Sequence, residues 1–217
     1  MLVLANTGRC WLTKLRPIEQ VKQADTIMLS YPLGVNMSAT LLTNDLTFYD
    51  PITDAQGPAM TWSIFAVGWI NAGDFNRSAG HFQRGYAPVH PPFNVWTESP
   101  DGGGTVNFIT GAGGFLQSAI FGTSGMRLVS DGLTFNPPPP RATGSSATMM
   151  GVSSFHFRGH RLSQQVTEDS MTYSVVASEP GAPGLSVTVE KDGSSHDLTV
   201  GTPVTAARGR AKIVLKA

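Results

Sequence analysis

The sequence predicts an α+β fold, in which helices come first and a small antiparallel β-domain follows them. Apolar residues recur at helical spacing up to about residue 128 and at every second residue beyond it. Gly132 and the prolines Pro137–Pro140 interrupt the chain just after this change. An Asp192-Gly193 pair, typical of a hairpin turn, separates two of the later apolar runs.

Five helices are predicted, over residues 21–29, 38–49, 59–70, 74–86 and 115–121. Ser38 and Asp74 are suited to cap the second and fourth helices, and Pro58 suits the first turn of the third. The third helix is apolar on almost every side, which is typical of a buried helix. Trp62 and Trp69 are therefore expected in the core.

Short alternating runs predict strands over residues 150–157, 161–166, 171–176, 185–189 and 211–215. Before them, residues 87–110 form a predicted long loop. Loops of this length inside a compact domain are usually functional or disordered. Phe93, Val95 and Trp96 favour an ordered loop.

Composition and charge exclude several classes of function. The 217 residues carry 15 Lys+Arg and 15 Asp+Glu, so nothing indicates binding to nucleic acid or to an anionic membrane. Cys10 is the single cysteine and excludes an internal disulfide. His156 and His160 do not share a helical face, so no zinc site is predicted. The first residues lack the pattern of a signal peptide, which favours a cytoplasmic location.

The segment Val95–Gly104 contains the densest group of residues suited to chemistry. Trp96 and Glu98 are two residues apart in a glycine-rich loop. An aromatic ring stacks on a sugar ring, and a carboxylate activates water or donates a proton. The alternative is a surface turn, because Asp101-Gly102 is a turn-forming pair.

Two other segments have a functional and a structural interpretation. Lys22 and Gln23 offer a cation and an amide to ligand hydroxyls, although such residues are most often solvated. Gly111–Gly114 precede the predicted fifth helix, where anions often bind. Close packing of helices at these glycines is the favoured interpretation.

Five sequence blocks together resemble the C-terminal part of glycoside hydrolase family 65, over about residues 18–176. The blocks are Lys22–Asp25, Pro58–Ser63, Trp96–Glu98, Asn107–Gln117 and Asp131–Pro137. Five blocks in the family's order are more specific than any one of them. The first 17 residues and the tail after Glu179 show no match.

The resemblance implies an (α/α) barrel followed by a small C-terminal β-domain. Residues 18–128 would then be the last helices of the barrel, and 129–217 the β-domain with a poorly matched tail, while 1–17 stay unmatched. The family's general acid lies upstream of the matched stretch. We therefore expect a C-terminal fragment that is inactive alone.

The resemblance also implies inverting hydrolysis of α-glucosides without a metal or cofactor. Glu98 occupies the place of the general base, Lys22 and Gln23 match the pair that holds the glucose hydroxyls, and Trp96 lies beside the substrate. The most similar members release glucose from glucosylgalactosyl-hydroxylysine of collagen-type glycans. Family phosphorylases bind phosphate with a histidine in place of the base, and no histidine lies between Glu98 and Gly114.

Two alternatives remain open at this point. One is a trehalase-type hydrolase, because the matching blocks are shared with such enzymes. The other is a non-catalytic carbohydrate-binding or structural remnant. The sequence indicates no oligomeric state.

Overall fold

The structure, a computed structural model, describes residues 20–144 and 146–216. The unmatched segment 1–17, with Cys10, lies outside the described residues. A helical part is followed by an antiparallel β part, which confirms the predicted α+β class. The first strand of the β part begins at Arg127, next to the predicted boundary.

The helices are α1 (Ala39–Tyr49), α2 (Met60–Ala72), α3 (Phe75–Tyr86) and α4 (Ile109–Gln117). Short 3-10 turns cover Thr26–Leu29 and Asp50–Ile52, and a π-helical turn covers Ser118–Gly122. Oγ of Ser38 accepts the Leu41 N–H at 3.2 Å, and Oδ1 of Asp74 accepts the Arg77 N–H at 3.0 Å. Both predicted N-caps are confirmed, since each satisfies an otherwise unpaired amide of the first turn.

Three local predictions are wrong. The first predicted helix is reduced to Thr26–Leu29, because Val21 forms a parallel bridge with Thr53 instead. The predicted loop 87–110 contains the two-stranded sheet of β1 (Val89–His90) and β2 (Val95–Trp96). The last helix begins at Ile109, six residues before the predicted start, and runs through the glycines.

Helix α2 forms the centre of the helical part, with residues 61–69 buried. Trp62 and Trp69 are both 1% exposed, as predicted. Helix α3 turns its small residue Gly85 toward α2, where an added Cβ would lie 2.5 Å from Oγ of Ser63. On another side Gly68 of α2 leaves room for the Leu46 side chain. Small residues thus allow the neighbouring helices to approach α2 closely.

Two antiparallel sheets form the β part. The strands are β3 (Arg127–Val129), β4 (Gly132–Phe135), β5 (Met149–Phe157), β6 (His160–Thr167), β7 (Ser170–Ser178), β8 (Leu185–Val189), β9 (Ser195–Leu198), β10 (Val204–Ala207) and β11 (Ala211–Leu215). One sheet has the order β10-β7-β6-β5 and the other β3-β4-β11-β8-β9. The alternation predicted five of these strands, and the turn at Asp192-Gly193 lies between β8 and β9 as expected.

The two sheets share one hydrophobic core. Leu162 and Tyr173 from the first sheet pack with Phe135 and Ile213 from the second. Phe121, in the π-helical turn, packs against this core and against the helical core as well. The two parts of the chain are therefore in direct contact. Within the described residues, no helix has the length and apolar character that crossing a membrane requires.

Candidate active site

Residues 54–59, the segment that leads into α2, contact both regions predicted to form the site. On one side, the carbonyl oxygen of Lys22 lies so close to Gly57 that an added Cβ would be 2.4 Å from it. On the other side, the Ala59 N–H donates to the carbonyl oxygen of Glu98 at 2.9 Å. The backbone of Lys22 thus lies close to this six-residue segment, and the backbone of Glu98 is hydrogen-bonded to it.

Glu98 lies in a short antiparallel hairpin that follows β2. Thr97 forms a bridge with Val106, and the Glu98 N–H donates to the carbonyl oxygen of Thr105 at 3.0 Å. The Thr105 N–H in turn donates to Oε2 of Glu98 at 3.3 Å. The half-buried carboxylate is therefore held against its own hairpin.

The tip of this hairpin is a turn built on Asp101. Its Oδ1 accepts the Gly103 N–H at 2.9 Å, and the Gly102 N–H donates to the carbonyl oxygen of Ser99 at 3.1 Å. An aspartate that bonds the amide two residues on is a common turn former. Asp101 therefore has the structural role that the sequence suggested for it.

Lys22 and Gln23 differ in their freedom to bind a ligand. The Lys22 side chain is exposed, while Gln23 is half-buried. Nε2 of Gln23 donates to Oδ1 of Asp25 at 2.9 Å, which orients the amide. The second N–H and the carbonyl oxygen of that amide, like the Lys22 ammonium, form no hydrogen bond with the described residues.

Trp96 packs into the helical part rather than standing free. Its ring lies 5.4 Å from that of Phe115, and its Cδ1 is close to Gly111 of α4. Its Nε1 is buried, and no acceptor among the described residues pairs with it. A buried N–H without a partner costs about 1–3 kcal/mol, so the indole is held there by packing.

His90 and Gly104, neither of which was predicted as a site residue, support the Glu98 hairpin. His90 of β1 bonds through Nε2 to Oγ1 of Thr97 at 3.1 Å, and Thr97 donates to the carbonyl oxygen of Ser99 at 2.7 Å. Gly104 lies against the Glu98 side chain. The run of three glycines after Glu98 is a sequence signal for such close contact, whereas nothing in the sequence singles out His90.

The glycines of α4 do not form an anion site at a helix start. Because α4 begins at Ile109, they lie inside the helix. An added Cβ on Gly111 would lie 2.9 Å from Cβ of Ala59, and one on Gly114 would lie 2.9 Å from Cβ of Met60. Gly111 and Gly114 are thus helix-packing residues, as predicted, whereas no atom lies within 4 Å of an added Cβ on Gly113.

Other polar features lie apart from Glu98. His160 is buried and bonds to Oγ of Ser178 and to the carbonyl oxygen of Pro183. Across residues 20–144 and 146–216, no group of three or more His, Cys, Asp and Glu side chains is placed to hold a metal ion. An open cavity of about 630 Å³ is lined by residues such as Thr43, Trp69 and Arg77, and by none of the four predicted site residues.

Comparison with known proteins indicates the family that this chain resembles. No protein-family model matches the chain. The chain is 40% identical over 196 residues to the protein-glucosylgalactosylhydroxylysine glucosidase of Mus musculus, a match that covers 90% of this chain and 28% of the mouse protein. It is 31% identical over 198 residues to the acid trehalase of Emericella nidulans, covering 84% of this chain and 18% of that protein.

A solved structure shares the fold. "Putative kojibiose phosphorylase from human microbiome" matches with a TM-score of 0.65 at 16% identity, over 88% of this chain and 25% of that one. The chain thus spans about a quarter of the length of the mouse relative and of this structure. Together these likenesses confirm the resemblance to glycoside hydrolase family 65 that the five sequence blocks predicted.

Proposed function

We propose that this chain contributes the general base and part of the glucose-binding site to an inverting α-glucosidase. The observation that carries the proposal is that the backbones of Lys22 and Glu98 both contact the same segment, residues 54–59. An inverting glycosidase needs its water-activating carboxylate next to the groups that hold the sugar. The relatives named as glucosidase and trehalase support the same class of chemistry.

In the proposed mechanism Glu98 takes a proton from a water molecule. The water oxygen then forms a bond to the anomeric carbon on the face opposite the leaving oxygen, and the bond to the leaving oxygen breaks. A carboxylic acid about 6.5–9.5 Å from the base protonates that oxygen in such enzymes. We assign the acid to no residue of this chain. Lys22 and Gln23 hold the glucose hydroxyls, and Trp96 forms a wall of the site.

The proposed substrate is the α-linked glucose of glucosylgalactosyl-hydroxylysine in collagen-type glycans. The name of the mouse relative, at 40% identity, supports this substrate. Trehalose is the second candidate, supported by the 31% identity to an acid trehalase. No metal or cofactor has a part in the proposed reaction.

The proposed architecture places residues 18–128 as the last helices of an (α/α) barrel and 129–217 as a C-terminal β-domain. The fold shared with a much longer solved structure supports this division. The side chain of Ile109 on α4 is also 83% exposed, as expected where further helices are to pack.

The experiment is a chimera in which residues 20–216 replace the matched segment of the mouse glucosidase. We expect turnover of glucosylgalactosyl-hydroxylysine, and we expect Glu98→Gln to lower kcat by about two to four orders of magnitude with little change in KM. Asp101→Asn is the matched control, because that carboxylate serves the turn of the same hairpin. Near-normal turnover by Glu98→Gln would show that another group activates the water.

A further inference from the structure

We propose that Gly104 is a positioning residue, which holds the Glu98 carboxylate so that Oε1 takes the proton from water. This inference rests on the proposed role of Glu98 as general base. It assigns the two carboxylate oxygens different tasks, with Oε2 as the anchor and Oε1 as the base.

The first support is a reciprocal pair of hydrogen bonds across the hairpin. The Glu98 N–H donates to the carbonyl oxygen of Thr105 at 3.0 Å, and the Thr105 N–H donates to Oε2 of Glu98 at 3.3 Å. Residue 98 is therefore bonded to residue 105 through its backbone and its side chain at once. No described residue donates a hydrogen bond to Oε1.

The second support is the absence of a side chain at residue 104. An added Cβ on Gly104 would lie 2.6 Å from both Cβ and Oε2 of Glu98, closer than real Cβ atoms approach other atoms. The φ of Gly104 is +72°, in the left-handed region that favours glycine. A larger residue would have to push the carboxylate away from the Thr105 N–H.

The neighbouring Gly102 provides a contrast within the same hairpin. It also has a left-handed φ, +86°, but the nearest atoms to an added Cβ are those of the His90 ring at 3.9 Å. Backbone strain is therefore common to both positions, and the clash with Glu98 is specific to Gly104. The two glycines make a matched pair for mutation.

The chemistry explains why one oxygen acts as the base. The hydrogen bond from the Thr105 backbone amide occupies Oε2 and holds that oxygen against the hairpin. The other oxygen keeps its lone pairs free for a water molecule. In the proposed step the proton moves from water to Oε1, while the water oxygen bonds to the anomeric carbon and the bond from that carbon to the leaving oxygen breaks.

The test is nuclear magnetic resonance on the 217-residue chain, which needs no catalytic activity. We follow the Thr105 amide proton through the pH range in which carboxyl groups ionise. In the native chain its signal should move downfield as the Glu98 carboxylate forms, because a bond to a charged acceptor is shorter. Glu98→Gln should abolish this transition, Gly104→Ala should abolish it, and Gly102→Ala should retain it. An unchanged transition in Gly104→Ala, or none in the native chain, overturns the proposal.

A double-mutant cycle covers the case in which Gly104→Ala folds poorly. Glu98→Gly removes both atoms that the new methyl group would meet, so Gly104→Ala should cost less stability in that background than in the native chain. Gly102→Ala should cost the same in both backgrounds. Equal costs for Gly104→Ala in the two backgrounds would overturn the proposed contact.

Measuring the activity of the chimera distinguishes a failure of this inference from a failure of the proposed function. In the chimera, Gly104→Ala should lower kcat at least tenfold more than Gly102→Ala does, with KM changed little in either. Equal kcat values for the two alanine variants would contradict the positioning role. If instead Glu98→Gln retains turnover while the amide signal behaves as expected, the general-base assignment fails and the contact between Gly104 and the carboxylate stands.

Discussion

Asp50, at the end of α1, bonds to the side chains of His81 and Trp69. Its Oδ2 accepts hydrogen bonds from Nε2 of His81 at 2.8 Å and from Nε1 of Trp69 at 3.3 Å. Burial raises the pKa of Asp50, but the hydrogen bond and charge of His81, together with Trp69 and Arg84, outweigh it and hold the pKa below its ordinary value. The bonded carboxylate therefore stabilises the fold above the unfolded pKa of 3.8, and this contribution is lost as the pH falls through the folded pKa.

Asp50→Asn should lower the free energy of unfolding at neutral pH by about 1.5–3 kcal/mol, the usual value of hydrogen bonds to a charged group. The difference from the native chain should shrink below pH 3.8, since the carboxyl group is then increasingly protonated. Urea unfolding at neutral and acidic pH measures both values.

Asp45→Asn is the control for this prediction. Burial raises the pKa of Asp45, and no described residue forms an ion pair or hydrogen bond with its carboxylate. Its replacement should leave stability unchanged or slightly higher at neutral pH. Equal losses in the two variants would contradict the role assigned to Asp50.

One face of helix α4 packs against the start of α2, and another face is largely exposed. Gly111 and Gly114 contact the start of α2, where an added Cβ would lie within 3 Å of Ala59 or Met60. On another face Ile109 and Leu116 are largely exposed. The glycines thus determine how closely α4 approaches α2, and Gly111 also lies close to Trp96 in the strand that leads to Glu98.

Gly114→Ala should lower the free energy of unfolding by about 1–3 kcal/mol, the usual cost of overpacking a core. Gly113→Ala is the matched control in the same helix, because no atom lies within 4 Å of its added Cβ. Alanine at residue 113 should raise stability by about 0.5–1 kcal/mol through its helix propensity. Thermal or urea unfolding that ranks the two variants in the opposite order would contradict this packing.

The sequence predicted most of the helices and strands whose own residues carry a strong local pattern. Ser38 and Asp74 marked helix starts because their side chains bond the first-turn amides. Local sequence patterns predicted the wrong structure where long-range contacts determine it. Val21, for example, pairs with Thr53 rather than continuing a helix. Local patterns also failed at β9, where the segment Ser195–Leu198 lacks apolar alternation because three of its four residues are exposed.

Several large apolar side chains near the candidate site are exposed to an unusual degree. Phe93 is 86% exposed at the turn between β1 and β2, and Val106 and Ile109 are exposed beside the Glu98 hairpin. Exposed apolar groups of this kind usually mark a contact surface. The match covers 28% of the mouse relative, and under the proposed architecture this surface would contact further helices of the barrel.

The 217-residue chain alone should therefore show no appreciable glucosidase activity, and it should self-associate. Analytical ultracentrifugation across concentrations measures the association, and Ile109→Gln with Leu116→Gln should weaken it. Val176→Gln is the control, since Val176 is an exposed apolar residue of the β part. A monomeric chain with turnover comparable to that of the chimera would contradict the expectation.

The residue types in the sequence suggest a candidate site, but they do not give its geometry. Trp96 and Glu98 stood out because an aromatic residue and a carboxylate in a glycine-rich loop suit carbohydrate chemistry. The sequence did not show that Trp96 packs on Phe115, or that residue 105 bonds the Glu98 carboxylate. Both contacts depend on how the hairpin lies against α4 and on itself, which local patterns do not encode.

The most direct test of inverting hydrolysis with Glu98 as the base is the anomeric form of the glucose that the chimera releases. Proton magnetic resonance of the first turnovers should show β-glucose before mutarotation, because water activated by Glu98 attacks the face opposite the leaving oxygen. Glu98→Gln should remove this signal while Asp101→Asn keeps it. Release of α-glucose first, or an unchanged rate of β-glucose release by Glu98→Gln, would contradict the proposed mechanism.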